Sequence, residues 1–120
     1  MTSLLVELSK QYPDFRVAFS LSGTFIDQCE MYPENGKPIL AMLKELVKSG
    51  NAEILAETYY HSLAFMYSKA EYARQIRMHT DKIFSLFRKK PTVFRNTELI
   101  YRNDIGEFIR NMGYDAIITE

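Results

Sequence analysis

One cysteine, Cys29, and two histidines, His61 and His79, are all that this 120-residue chain brings toward disulfides or soft metal centres. A lone thiol cannot close an internal disulfide, and two imidazoles form no zinc-ligand set of recognisable spacing, so neither a metal nor another cofactor is expected. Net charge is lacking too: fifteen Lys and Arg offset fifteen Asp and Glu. That balance removes the positive field exploited in binding nucleic acid or an anionic membrane. No window approaches the roughly 18–20 continuous apolar residues of a membrane span. The opening Met1-Thr2-Ser3-Leu4-Leu5 has neither the basic region nor the long apolar run of a signal peptide. The expectation is a cytoplasmic protein with no nucleic-acid or membrane partner. A glycine-rich phosphate loop and a Gly-x-Ser-x-Gly elbow are also absent, which withdraws most support from nucleotide binding and serine hydrolysis.

Repeats, low-complexity tracts and linkers are missing as well. The turn-forming clusters, around Gln11-Tyr12-Pro13-Asp14, Pro33-Glu34-Asn35-Gly36 and Ser49-Gly50-Asn51, are short. With 47% apolar and 25% charged residues the chain has the composition of a folded soluble protein. Its length suits one domain, residues 1–120, with one core.

Four segments rich in β-branched or aromatic residues predict strands, at 16–21, 52–57, 92–95 and 115–119. Helical spacing lies between them. In residues 37–48, Ile39, Leu40, Leu43, Leu46 and Val47 recur at steps of three and four behind Pro38, and Gly50 supplies a stop. Residues 68–88 open with Ser68 and Glu71, a capping-box pair, and carry Ala73, Ile76, Thr80, Ile83, Phe84 and Phe87 on one face. A further helix is predicted over 103–111, with Ile105, Phe108, Ile109 and Met112 inward and Gly113 past its end. Strands alternating with helices imply a parallel α/β fold of about four βα units. A closed barrel of seven or eight units needs at least about 200 residues. An open sheet or part of a barrel is therefore expected.

Parallel α/β proteins gather their chemistry at the carboxyl ends of the strands. That rule selects Ser22-Gly23-Thr24, the stretch Glu57-Thr58-Tyr59-Tyr60-His61-Ser62, and Asn96-Thr97-Glu98-Leu99-Ile100-Tyr101. Glu98, a carboxylate beside aliphatic and aromatic residues within three positions of a strand end, is the candidate catalytic residue. A first-turn acid complementing a helix dipole is the competing reading. Alternation puts Glu53, Leu55 and Glu57 on one strand face, which suits either a solvated interior or a wet edge. Tyr59 and Tyr60 offer stacking surface for a sugar ring and His61 a neutral imidazole. A lone histidine in a loop is more often a surface or packed residue than a catalytic one. Cys29, within a turn at 24–30, and His79, on the flank of the long helix, read as structural.

Together these residues resemble the catalytic domain of glycoside hydrolase family 57, whose members include α-amylases and 4-α-glucanotransferases. The likeness is carried by Phe19-Ser20-Leu21-Ser22-Gly23-Thr24, by Gly50-Asn51-Ala52-Glu53-Ile54-Leu55 running into Glu57-Thr58-Tyr59-Tyr60-His61-Ser62-Leu63, and by Val93-Phe94-Arg95-Asn96-Thr97-Glu98-Leu99-Ile100-Tyr101 with Asn103-Asp104-Ile105. The resemblance implies part of a (β/α)7 barrel and a retaining mechanism on α-glucans. Glu98 would be the nucleophile, Glu53 the acidic position of the second characteristic region, and Tyr59, Tyr60 and His61 would line sugar subsites.

Two departures accompany the likeness. The family's His-Gln-Pro motif has no counterpart here, and neither does its acid/base Asp. Glu57 and Asp104 are the nearest substitutes, though Asp104 also suits the opening of a helix. The resemblance thus implies a segment that supplies the nucleophile, is inactive alone, and meets either the remainder of the barrel or another copy of itself. The alternative is a non-catalytic module that binds maltooligosaccharides through Tyr59, Tyr60, His61 and Tyr101. Polysaccharide deacetylases share a related barrel but need His and Asp metal ligands, which are scarce here.

Overall fold

Short runs of Val, Ile and Phe, stiff at χ1 and suited to a pleated surface, form four three-residue strands within residues 2–119, the part of the chain that the computed structural model describes. These are β1 (Val17–Phe19), β2 (Ala52–Ile54), β3 (Val93–Arg95) and β4 (Ala116–Ile118), one inside each expected segment. β1 pairs in parallel with β2, Val17 opposite Ala52 and Phe19 opposite Ile54. β3 pairs with β4, Val93 opposite Ala116 and Arg95 opposite Ile118. A parallel bridge joins the two pairs: Ala56 N–H donates to Val93 O and Arg95 N–H donates to Ala56 O, both at 2.8 Å. The strands thus lie side by side in chain order. A doubly wound sheet reverses its order at a switch point. Unbroken order with right-handed crossovers instead sends successive helices to one face, as in a (β/α) barrel. The fold is α/β, with about four βα units resembling part of such a barrel.

Five α-helices accompany the strands among the described residues, α1 (Thr2–Gln11), α2 (Gly23–Met31), α3 (Pro33–Lys48), α4 (Lys69–Phe87) and α5 (Asn103–Asn111), with single 3-10 turns at Ala64–Met66 and Thr97–Leu99. α5 has the bounds that its periodicity predicts. At the start of α4, Ser68 Oγ accepts from Glu71 N–H at 3.2 Å. The reciprocal half of the capping box is not made. Glu71 turns to Arg74 and Gln75 instead, and those hydrogen bonds hold its carboxyl down at about 2.

Three expectations are corrected. Residues 24–30 form part of α2 rather than a turn, because Ser22 caps the segment by accepting from Phe25 N–H at 3.1 Å. α3 begins at Pro33, not at residue 37, and places Pro38 inside the helix. Gly36 there serves close packing rather than a turn: a Cβ at this position would lie 2.0 Å from Cys29 O on α2. On α4, Phe84 turns outward at 42% exposure, while Tyr72 and His79 are fully buried. α1 is a further element with no counterpart in the sequence expectations.

The helices cover one side of the sheet. Ile54 and Ala52 pack with Leu43, Leu46, Val47, Ile83 and Phe87 in one core cluster. Ala56 and Phe94 pack with Tyr72, Ile76, Ile105 and Ile109 in a second. α4 feeds both, so it is the spine of the helical layer. Strand alternation turns Ala18, Glu53, Val93, Arg95, Ala116 and Ile118 to the opposite face. Ala18, Glu53, Ala116 and Ile118 are exposed there. No helix among the described residues is long and apolar enough to cross a membrane.

Candidate active site

The carboxyl ends of β1, β2 and β3 converge on an open cleft of about 760 Å³ lined by Ser20, Leu21, Ser22, Phe25, Glu57, His61 and Arg95. Beneath it, His79 ties two of these ends together from α4. Its Nε2–H donates to Leu21 O at 2.6 Å, after β1, and its Nδ1 accepts from Glu57 N–H at 3.4 Å, beyond β2. Both nitrogens are thereby committed to the neutral imidazole. Burial pushes His79 below the usual histidine range, against the opposing pull of the Leu21 carbonyl and of Glu57. The Glu57 side chain is 4% exposed and accepts a hydrogen bond from the Ser20 hydroxyl.

His61 and Glu98 meet across the ends of β2 and β3. His61 Nε2–H donates to Glu98 Oε1 at 2.9 Å, with side-chain exposures of 46% and 69%. Their backbones are unusual. His61, Glu98 and Leu99 have φ of 52°, 55° and 56°, left-handed values that cost a non-glycine residue about 1 kcal/mol or more each. Arg88, another non-glycine residue at positive φ, only caps α4. Strain is thus gathered where the exposed carboxylate and imidazole face each other, as functional sites gather it.

Buried hydroxyls stitch the two loops together beside this pair. Thr97 Oγ1–H donates to Ser62 O at 2.7 Å, Ser62 N–H donates to Thr58 Oγ1 at 2.9 Å, and the two threonine hydroxyls lie 3.1 Å apart. On the other side, Tyr72 donates to Asn96 Oδ1 at 2.8 Å and Asn96 Nδ2 donates to Ile100 O at 2.9 Å.

The remaining candidates are dispersed. Tyr59 is 7% exposed. Its hydroxyl donates to Asp27 at 2.6 Å, and its ring lies so close to Gly23 that a Cβ there would come within 2.3 Å. Burial and the bond to Asp27 push that hydroxyl above the usual tyrosine range. Tyr60, 48% exposed, meets the Tyr59 ring edge-on at 4.9 Å. Tyr101, 44% exposed, lines a separate cleft of about 510 Å³ with Gly106 and Tyr114. Glu53 stands at the amino ends of the strands, in a cleft of about 600 Å³ with Arg16, Lys89 and Lys90, an end that serves stability in barrel enzymes. Asp104 accepts from Arg102 and from Ile105 N–H at 3.0 Å, in the first turn of α5.

Arg95 belongs to the site but lay outside the stretches selected from the sequence, whereas Thr58, Thr97 and Asn96 lay within those stretches without being singled out. For Arg95, alternation along β3 away from Phe94 carried the signal. Among the described residues no group of three or more His, Cys, Asp or Glu is placed to hold a metal ion.

The family model of glycosyl hydrolase family 57 matches residues 1–120. A Methanocaldococcus jannaschii protein named "Putative alpha-amylase" is 41% identical over 118 residues, covering 98% of this chain and 24% of that protein. The crystal structure of 4-alpha-glucanotransferase from Thermococcus litoralis superposes with a TM-score of 0.78 at 23% identity, covering 92% of this chain and 17% of that one. A CE4 family pseudoenzyme from Bacillus anthracis shares the fold, with a TM-score of 0.71 at 19% identity over 98% of this chain and 37% of its own. The chain therefore spans about a quarter or less of the curated relatives named here. With the family model matched from end to end, the chain belongs to glycoside hydrolase family 57.

Proposed function

We propose that this chain is the nucleophile-bearing part of a retaining α-glucan-active barrel, a glycosidase of the α-amylase or 4-α-glucanotransferase kind. The observation that carries the reading is Glu98: an exposed carboxylate at the carboxyl end of β3, held by His61 on strained backbone. The hydrogen bond to Oε1 restrains the carboxylate's rotation and leaves Oε2 without a partner among the described residues. That oxygen attacks the anomeric carbon as the glycosidic C–O bond breaks, giving a glycosyl ester on Glu98. A second carboxyl group, about 5–5.5 Å away in retaining enzymes, protonates the leaving oxygen and then takes the proton of the incoming water or sugar hydroxyl.

Glu57 is tied to Ser20, and Asp104 to Arg102 and Ile105 N–H, so neither is poised to cycle protons. The acid/base group comes instead from outside these 120 residues, on strands that pair with the free edges of β1 and β4. Tyr60 and Tyr101 give stacking surface to the glucan, with Tyr59 supporting Tyr60 from beneath. Glu57 and Arg95 supply polar contacts in the cleft at the carboxyl ends of the strands, and Glu53, at their amino ends, lies away from it.

Glu98→Gln keeps the side chain's size and its ability to accept from His61 but removes the nucleophile. In the glucan-cleaving protein that contains this chain, it lowers turnover by about a thousandfold or more. Undiminished cleavage would overturn the proposal. A second reading, a non-catalytic carbohydrate-binding module, is favoured by the half-exposed Tyr60 and Tyr101. Saturable binding of maltooligosaccharides by a protein with no covalent chemistry at Glu98 would select it.

A further inference from the structure

Thr58 and Thr97 are 0% and 4% exposed, and the direction of every hydrogen bond between them can be assigned. Thr97 spends its single hydroxyl proton on Ser62 O at 2.7 Å. In the 3.1 Å contact between the two hydroxyls, Thr58 must therefore be the donor. Thr58 Oγ1 in turn accepts from Ser62 N–H at 2.9 Å. The result is a closed ring, Ser62 N–H to Thr58, Thr58 to Thr97, Thr97 to Ser62 C=O, sealed from water and using both backbone polar groups of one residue. His61 immediately precedes Ser62, and Glu98 immediately follows Thr97. Each bears a positive φ, a conformation that persists only where its surroundings over-determine it.

We propose that Thr58 and Thr97 are positioning residues whose hydroxyl ring clamps the loop after β2 to the loop after β3 and so sets the contact between His61 and Glu98. The inference rests on the reading of Glu98 as nucleophile for its functional meaning, but the clamp itself is a matter of geometry. A valine in place of either threonine keeps the shape and deletes a link of the ring. A serine keeps the link.

The test is solution NMR of this chain, reading the through-space contact between the His61 ring and the Glu98 side chain. The contact is expected in the parent and in Thr97→Ser. It is expected to vanish in Thr97→Val and in Thr58→Val while the resonances of the buried Phe94 and Tyr72 stay in place. Persistence of the contact in both valine variants would overturn the proposal, as would its equal loss in Thr97→Ser. If the valine variants fail to fold where the serine variant folds, the ring acts on global stability and local positioning is likewise overturned. No substrate enters this readout, so a protein inert toward glucans would sink the glycosidase reading and leave the clamp standing. Where glucan cleavage is measured, Thr97→Val lowers kcat about tenfold with KM within about twofold, and Thr97→Ser restores it.

Discussion

His61 and Glu98, 37 residues apart in the chain, share a 2.9 Å hydrogen bond and the same left-handed backbone conformation. Each lies in a loop leaving a different strand. The pairing therefore depends on the lateral register of β2 and β3, which the Ala56–Phe94 bridge sets. Sheet register, backbone strain and site geometry are here one linked arrangement.

The strain at Glu98 has a measurable consequence. Glu98→Gly removes a steric cost of about 1–2 kcal/mol at φ 55° and returns about 0.5–1 kcal/mol through the freer unfolded chain. The exposed pair with His61 contributes little to stability. Denaturant unfolding is expected to show Glu98→Gly more stable by up to about 1 kcal/mol. A loss of stability would indicate that the carboxylate, and not the site's chemistry, is what holds this turn.

The three tyrosines divide by burial. Tyr60→Ala and Tyr101→Ala remove half-exposed rings and are expected to weaken maltooligosaccharide binding roughly fivefold each, about 1 kcal/mol. Tyr59→Phe loses the hydrogen bond to Asp27. It should cost about 1 kcal/mol of stability and leave affinity within twofold. Calorimetric titration beside thermal unfolding separates the two effects, and the opposite assignment would show that the sugar reaches Tyr59.

His79 predicts a pH dependence. Its folded pKa lies below its unfolded value of about 6.5, chiefly through burial. As pH falls below about 6.5 the unfolded chain takes up a proton that the folded chain refuses, so stability declines. The contribution of Glu71, held down at about 2 by Arg74, is lost only below about pH 4.5 and does not enter this window. Urea unfolding between pH 7.5 and 5 is expected to give a falling midpoint, and His79→Gln to flatten that slope while lowering stability throughout. A parent midpoint that does not change would contradict the neutral tautomer.

Much of the architecture was legible because it rests on local signals. The bounds of α5 follow from apolar spacing and Gly113, and the start of α4 from Ser68. α2 was not legible. Its cap at Ser22 sits in a Ser-Gly-Thr stretch that reads equally as a loop. The early start of α3 was hidden because Gly36 looks like a turn residue until α2 is seen packed against it. Glu98 could be singled out by its place after a strand. Its partner could not, since a contact across 37 residues depends on register, and none of the left-handed positions there is Gly or Asn to mark the conformation. The buried state of Tyr59 was likewise invisible, being set by Gly23 and Asp27 on a neighbouring helix.

The most direct test of Glu98 as nucleophile is covalent trapping with a fluorinated α-glucosyl fluoride. Fluoride departs with the bonding electrons without help from an acid, and the ring fluorine slows release of the ester that forms. Peptide mass spectrometry of the glucan-cleaving protein containing this chain is expected to place the glucosyl label on Glu98 and to find none in Glu98→Gln. A label on Glu57, Asp104 or any other carboxylate, or undiminished labelling of Glu98→Gln, would contradict the assignment.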